Sequence, residues 1–284
     1  MKPDISIIIG FYNKIDLLEK ILEALRLQRL QNFEVVIADD GSNEAVVERI
    51  RALQAVSPFP IQHVWHEDKG WRKNRILNKA VVTAQGDYLI FIDGDCIPDP
   101  HFVEDHYTER KKRTVVSGRR ILMGSRATAY LLSCPLTKQR FGCGLFLALL
   151  SDTLHGYKTR MEHMIRIRSA WIRRLFIKDY ERFILGCNFS MYKEDLLAVN
   201  GFDERFEHPG YGEDIDLWNR LTRAGIRSYS RKGLLIQYHC WHPRFDTDYA
   251  PNKQLLEENT QQKVTFTPFG IVRARGAMQT TSSR

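Results

Sequence analysis

Ile5-Ser6-Ile7-Ile8-Ile9-Gly10-Phe11-Tyr12-Asn13 is an apolar, β-branched run that stops at a glycine and a polar turn. A strand wetted on one face would alternate apolar and polar residues. Ile5 to Ile9 does not, and so reads as a strand buried on both faces of a parallel sheet. Working outward, Ile15 to Leu30 carries Leu18, Ile21, Leu22 and Leu25 at helical spacing. Phe33 to Ala38 is a second strand that runs into Asp39-Asp40-Gly41-Ser42, where Ser42 or Asn43 can cap a helix over Glu44 to Gln54. Ile61 to His66, Arg72 to Ala84 and Tyr88 to Ile92 read as strand, helix and strand. Strand and helix alternate, which predicts an α/β, doubly wound, Rossmann-like sheet with right-handed crossovers.

In such sheets ligands bind beyond the carboxyl ends of the strands. That rule singles out Phe11-Tyr12-Asn13, Asp39-Asp40 and Asp93-Gly94-Asp95. Two carboxylates flanking a glycine repel one another unless a cation lies between them. A hard divalent ion held by one or two carboxylates completes its shell with water and phosphate oxygens. Gly94 is expected to let a diphosphate approach the backbone. Asp39-Asp40 reads as a turn and cap, with one carboxylate free to face a base N–H or a ribose hydroxyl. Tyr12 offers a flat face to a nucleobase, or serves as an ordinary aromatic at a strand end.

Farther along, Gly210-Tyr211-Gly212 precedes Glu213-Asp214-Ile215-Asp216-Leu217-Trp218. Leu217, Trp218 and Leu221 lie at helical spacing, so Glu213 and Asp214 stand at a helix N-terminus. The helix dipole favours ionised carboxylates there, the form a general base needs. The same pattern also arises from capping alone. In Tyr238-His239-Cys240-Trp241-His242-Pro243 a neutral imidazole could complete a metal site begun by a distant carboxylate, or simply pack.

With 284 residues, 43% apolar and 27% charged, the composition is that of a globular chain holding one large domain or two small ones. The net charge of +8 favours phosphate-bearing or otherwise polyanionic partners. The basic residues lack the interleaved aromatics of single-strand binders, so no nucleic acid partner is expected. Five dispersed cysteines without a CxxC pair read as reduced thiols. Lys2-Pro3-Asp4 runs directly into the first strand, so no signal peptide is expected and the cytoplasm is the default compartment. Tyr157 to Lys178 holds seven Lys or Arg against Glu162. Met161, Ile165, Ile172, Leu175 and Phe176 fall roughly on one helical face. That stretch reads either as a helix docking on the inner face of an anionic membrane or as a packed helix with solvated arginines.

Taken in order, "ISIIIGFYNK…NFEVVIADDGSNE", "WRKNRILNKAV", "GDYLIFIDGDCIP" and "GCNFSMYKEDLLAVNGFDERFEHPGYGEDIDLWNRLTRAG" resemble the GT-A glycosyltransferases of family 2. The last segment is similar to the acceptor half of chondroitin-polymerase-type and β-1,4-galactosyltransferases. The resemblance covers about residues 3–118 and 183–243. It implies a nucleotide-sugar-binding half over 1–118 and an acceptor half over 183–243. Residues 119–182 would then form a basic amphipathic insertion, and 244–284 a partly disordered extension.

The resemblance also implies roles for particular residues. Tyr12 and Asp40 would hold uracil or ribose, with Asp39 nearby. Asp93 would contact ribose or metal, and Asp95 would bind Mn²⁺ or Mg²⁺, with His239 or His242 as a further ligand. Asp214 would be the base, and Glu213 would bind acceptor hydroxyls. Asn78 and a basic residue would line the diphosphate. The family often has Arg directly before that asparagine. Leu77 stands there, so Lys73 or Arg75 must supply the contact. The implied reaction is inverting transfer from a UDP-sugar to a glycan or lipid-linked saccharide acceptor. A nucleotidyltransferase of sugar phosphates is the rival reading, and it lacks its usual glycine-rich basic loop at Gly10-Phe11-Tyr12-Asn13. A non-catalytic nucleotide- or anion-binding protein is the other.

Overall fold

The computed structural model describes residues 2–169, 171–173, 184–243 and 247–272. The elements run β1 (Ile5–Phe11), α1 (Ile15–Arg26), β2 (Phe33–Asp39), α2 (Glu44–Ala55), β3 (Ile61–Trp65), α3 (Lys73–Thr83) and β4 (Tyr88–Asp93). Next come β5 (Cys96–Pro98), α4 (Phe102–Thr108), β6 (Thr114–Ser117), β7 (Arg119–Leu122), α5 (Ser125–Leu132) and α6 (Cys143–Leu154). The remaining elements are β8 (Asn188–Tyr192), α7 (Lys193–Leu197), α8 (Glu213–Arg223), β9 (Arg227–Ser230), β10 (Ile236–His239) and α9 (Ala250–Gln261).

Seven strands form one sheet in the order β3-β2-β1-β4-β8-β6-β9. All pairings are parallel except the two made by β8, so β8 alone runs against the rest. The unbroken apolar run in β1 has the predicted cause. Ile5, Ile7 and Ile9 face a core with Leu18, Ile21 and Leu25 of α1. Ile8 faces the opposite core, with Ile76 and Leu77 of α3 and Leu217 and Leu221 of α8. The chain winds from β1 outward to β3 and then returns to lay β4 on the other side of β1. The crevice therefore opens at the carboxyl ends of β1 and β4, where the strand order reverses.

A smaller sheet, β5-β10-β7, stands at the end of β4. β7 begins at the expected boundary of 119 and pairs with β10, Ile121 with Tyr238 and Leu122 with His239. The start of the expected insertion thus supplies a strand of the small sheet. The described part of 157–178 is not one long helix. Arg160 is left-handed (φ 57°), Met161–Met164 is a single 3₁₀ turn, and the Ile167 N–H donates to the Gly233 carbonyl. Leu175 and Phe176 lie outside the described residues. Part of the expected C-terminal extension is α9, whose Asn252 side chain donates to the carbonyls of His208 and Tyr211. α9 thus anchors the loop ahead of Glu213.

Candidate active site

Asp95 sits where β4 turns into β5. The β5–β10 ladder pairs His239 with Cys96, and the Cys240 N–H donates to the Asp95 carbonyl at 2.8 Å. Strand register therefore brings a histidine from far along the chain beside Asp95. His239 Nε2 lies 3.6 Å from one Asp95 oxygen and His242 Nε2 lies 3.4 Å from the other. Two ligands about 2.1 Å from one ion at 90–109° stand roughly 3.0–3.4 Å apart. The observed gaps are too long for hydrogen bonds and fall at or just beyond the upper end of that range. His242 Nδ1 is 2.8 Å from the Pro243 carbonyl, which can only accept, so Nδ1 carries the proton and Nε2 is left as the donor to an ion. Burial lowers the pKa of His239 despite the opposing charge of Asp95, favouring the neutral, ligating form. Cys96 is also near, and without an ion, burial and the neighbouring Cys187 push its thiol well up. Among the described residues the ligand atoms of Asp95, Cys96 and His239 lie within 4.8 Å of one another, and His242 approaches the same carboxylate from outside that cluster.

A cavity of about 450 Å³ runs from this cluster to the end of β2. Tyr12, Asp40, Asp68, Trp71, Lys73, Asp93, Asp95 and His242 line it. At the far end the Tyr12 hydroxyl donates to Asp68 at 2.8 Å, and its half-exposed ring lines the cavity. Asp40 receives the Arg72 N–H at 2.8 Å and contacts His66 Nε2 at 2.6 Å. Burial raises the pKa of Asp40 even against those partners and lowers that of His66.

In the middle, Lys73 Nζ binds Asp93 at 2.6 Å. Burial alone would lower the pKa of this ammonium, but Asp93, Asp214 and Glu213 together raise it. Burial pushes Asp93 up, yet Lys73 outweighs it and holds the carboxyl low. Glu213 and Asp214 open α8, as the spacing predicts. Asp214 accepts the Gly186 N–H at 2.8 Å, and a Cβ at 186 would stand 2.2 Å from that carboxylate. Only glycine permits the contact. The helix dipole does not dominate here, contrary to expectation. Burial first, then the adjacent Asp214 charge, lifts Glu213 to about 7. Burial raises Asp214 as well, opposed by Lys73. The pair holds a proton near neutral pH.

The crevice thus gathers Tyr12, Asp40, Lys73, Asp93, Asp95 and His242, with His239 beside Asp95 and the charges of Glu213 and Asp214 acting on Lys73. Three expected residues are not brought to it. Asp39 is fully buried, accepting the Ser42 N–H and contacting His63, so its work is to hold the turn after β2. Arg75 turns to Glu204 at 3.0 Å. Asn78 is buried on α3 and exchanges two hydrogen bonds with the Phe202 backbone, both at 2.9 Å. Residues on successive helical turns share a face, and the 202–204 loop covers that one. Gly94 lines the cavity and also has a packing reason: its N–H donates to the Gly10 carbonyl at 2.7 Å, where an added Cβ would stand 2.9 Å from that oxygen. Trp218 is only partly buried and donates to the Ser228 hydroxyl.

Sequence reading missed Asp68 and Trp71, although they follow β3 and the strand-end rule would have reached them. It also missed Arg120, which carries no local signal. Arg120 bonds the Cys187 sulfur at 3.5 Å, and its charge acts on both Asp93 and Asp214.

The glycosyl transferase family 2 model matches residues 6–197. The chain belongs to glycosyl transferase family 2. The N-terminal domain of galactosyltransferase model matches residues 166–242, the part that holds Asp214 and His239. Chondroitin synthase of Escherichia coli is 27% identical over 273 residues, which cover 92% of this chain and 38% of that protein. Validoxylamine A glucosyltransferase of Streptomyces hygroscopicus is 32% identical over 255 residues, 79% of this chain and 52% of that one. The chain therefore spans only about a third to a half of these relatives. A mannosyltransferase from Pyrobaculum calidifontis, solved with GDP-Man and Mn²⁺, superposes with a TM-score of 0.54 at 16% identity, covering 86% of this chain and 59% of that one. The shared architecture is the GT-A fold of glycosyltransferases.

Proposed function

We propose that this chain is an inverting, metal-dependent glycosyltransferase that moves a hexose or N-acetylhexosamine from a UDP-sugar to a hydroxyl of a glycan or lipid-linked saccharide during surface polysaccharide synthesis. The observation that carries the reading is the coincidence of Asp95 with His239 and His242 on its two oxygens, the Asp93–Lys73 pair in the same crevice, and the Glu213 and Asp214 carboxylates whose charges act on Lys73. Tyr12 stacks on or bonds the uridine, and Asp40 accepts from its base or ribose. Mn²⁺ or Mg²⁺ held by Asp95 with His239 and His242 would neutralise charge developing on the leaving diphosphate. Lys73 stands beside that charge as a fixed cation. Glu213 binds acceptor hydroxyls. Asp214, held by the Gly186 N–H, takes the proton from the acceptor oxygen as that oxygen attacks the anomeric carbon and the bond to the diphosphate breaks. Work at the cytoplasmic face of the membrane is consistent with five cysteines that form no disulfide.

The test is thermal shift with a panel of nucleotide sugars, with and without Mn²⁺, in the wild type and in Asp95→Ala. A ligand that binds only the native state raises its melting temperature. A UDP-sugar should do so with Mn²⁺ and lose the effect in the variant. An equal shift in both proteins, with or without metal, would refute the metal role, and no shift from any nucleotide sugar would refute the function.

A further inference from the structure

We propose that the outer face of α6 lies flat in an anionic lipid surface and docks the protein there. α6 reads Cys143-Gly-Leu-Phe-Leu-Ala-Leu-Leu-Ser-Asp-Thr-Leu154 and is apolar almost all round. A helix of that kind is covered on every side when its structure is complete. Here the inner side is covered, with Leu145 and Leu149 fully buried in the core. The outer side is not: Phe146, Leu147, Leu150 and Leu154 are 49%, 62%, 37% and 77% exposed and follow one another at helical spacing. Four large side chains on one stripe exceed the scattered apolar exposure normal for a soluble surface.

Charge selects the occupant. From Ser125 to Met161 the chain holds Arg126, Lys138, Arg140, Lys158 and Arg160. The one acid in that span, Asp152, is buried and accepts the N–H groups of Arg126 and Ala127 at the start of α5. Along the chain the apolar stripe is therefore flanked by five basic residues, and the first exposed carboxylate after them is Glu162. That arrangement suits anionic headgroups over an acyl boundary better than an apolar protein face. Twelve residues make a helix about 18 Å long, too short to cross a bilayer, so it lies in the interface plane. Among the described residues no helix is long and apolar enough to cross a membrane. The stripe is also coupled to the crevice: Thr128 of α5 accepts the Trp241 N–H at 2.8 Å, and Trp241, itself 44% exposed, directly precedes His242. Docking on α6 would set the metal-side rim against the lipid. The inference does not depend on the transfer chemistry, because vesicle binding is read without a sugar.

The experiment is co-sedimentation of the full chain with phosphatidylcholine vesicles, with and without added phosphatidylglycerol to supply an anionic surface. The chain should bind the anionic vesicles, and the quadruple variant Phe146→Ser, Leu147→Asn, Leu150→Asn, Leu154→Asn should lose at least about tenfold in partitioning. A second variant, Lys138→Glu with Lys158→Glu, leaves the helix interior untouched and should lose binding to anionic vesicles only. Unchanged melting of both variants separates lost docking from lost folding. No binding of the wild type to anionic vesicles would overturn the proposal, as would equal binding by the Lys138→Glu/Lys158→Glu variant. A dimer in solution that the quadruple variant abolishes, without vesicle binding, would assign the face to a second copy instead.

Discussion

Glu213→Gln should stabilise the protein while damaging it as a catalyst, and the gain should depend on pH with a defined sign. In the folded protein Glu213 titrates at about 7 instead of its ordinary 4.5, because burial and then Asp214 disfavour its charge. A group whose folded pKa is raised keeps its proton in the native state after the unfolded chain has lost it. Between pH 4.5 and 7 the native state therefore binds more protons, and stability falls as pH rises through that window. At about 1.4 kcal/mol per pH unit, the cost at pH 8 is on the order of 3 kcal/mol, and at pH 5 it is under about 1 kcal/mol. Glutamine carries no charge, so the variant escapes the cost. With about 2.1 cal/mol/K of unfolding entropy per residue over 284 residues, the melting temperature should rise by roughly 5 °C at pH 8 and by roughly 1 °C at pH 5. The assay is a pH series of thermal melts on both proteins, paired with transferase rates. A variant no more stable than wild type at pH 8, or equally stabilised at pH 5 and 8, would refute the reasoning.

Two further outcomes follow from the placement of single residues. Asp214→Asn should lower turnover by roughly 10²–10⁴-fold with donor affinity nearly unchanged; normal turnover measured by release of uridine diphosphate would remove Asp214 as the base. Asn78→Ala should cost about 2 kcal/mol of stability, since it strips two partners from a buried backbone segment, and should leave kcat/KM within a few-fold. A tenfold fall in kcat/KM with an unchanged melting temperature would return Asn78 to the diphosphate side.

The doubly wound half was legible because its signals are local. The apolar run of β1, the helical spacing of α1 and the carboxylates ending β2 and β4 each sit within a dozen residues. Helix limits were less so: the pattern predicted a helix to Leu30, but it ends at Arg26. There the Gln28 side chain bonds the carbonyls of Ala24 and Asp99 and receives the Val103 N–H, exchanging a further turn for a tie to α4. Site residues failed in two ways. Asp39, Arg75 and Asn78 have the right chemistry at the right spacing, but each faces away from the crevice, and only packing decides which face is which. Arg120 is the converse, lying on a short edge strand whose pairing with β10 spans more than a hundred residues. The pKa of Glu213 was also illegible, because a first-turn acid next to another acid is stabilised by the dipole when exposed and destabilised when buried.

The donor set around Asp95 shows why pairing, more than motif, makes this site. β10 aligns His239 with Cys96, and the ladder continues from Cys240 back to the Asp95 carbonyl. Strand side chains alternate faces with a period of two, so a slip of one residue would replace His239 with the buried Tyr238 or Cys240 and leave Asp95 without that imidazole. The register is pinned from the other edge as well, where β7 places Leu122 opposite His239 and the Met123 N–H reaches the His239 carbonyl. A segment that reads in sequence as the start of an insertion therefore fixes a candidate ligand from the flank. Substitutions in β7 that weaken its pairing should loosen His239 without touching it. Among the candidate ligands, His239 is the one that lies within a strand of the small sheet.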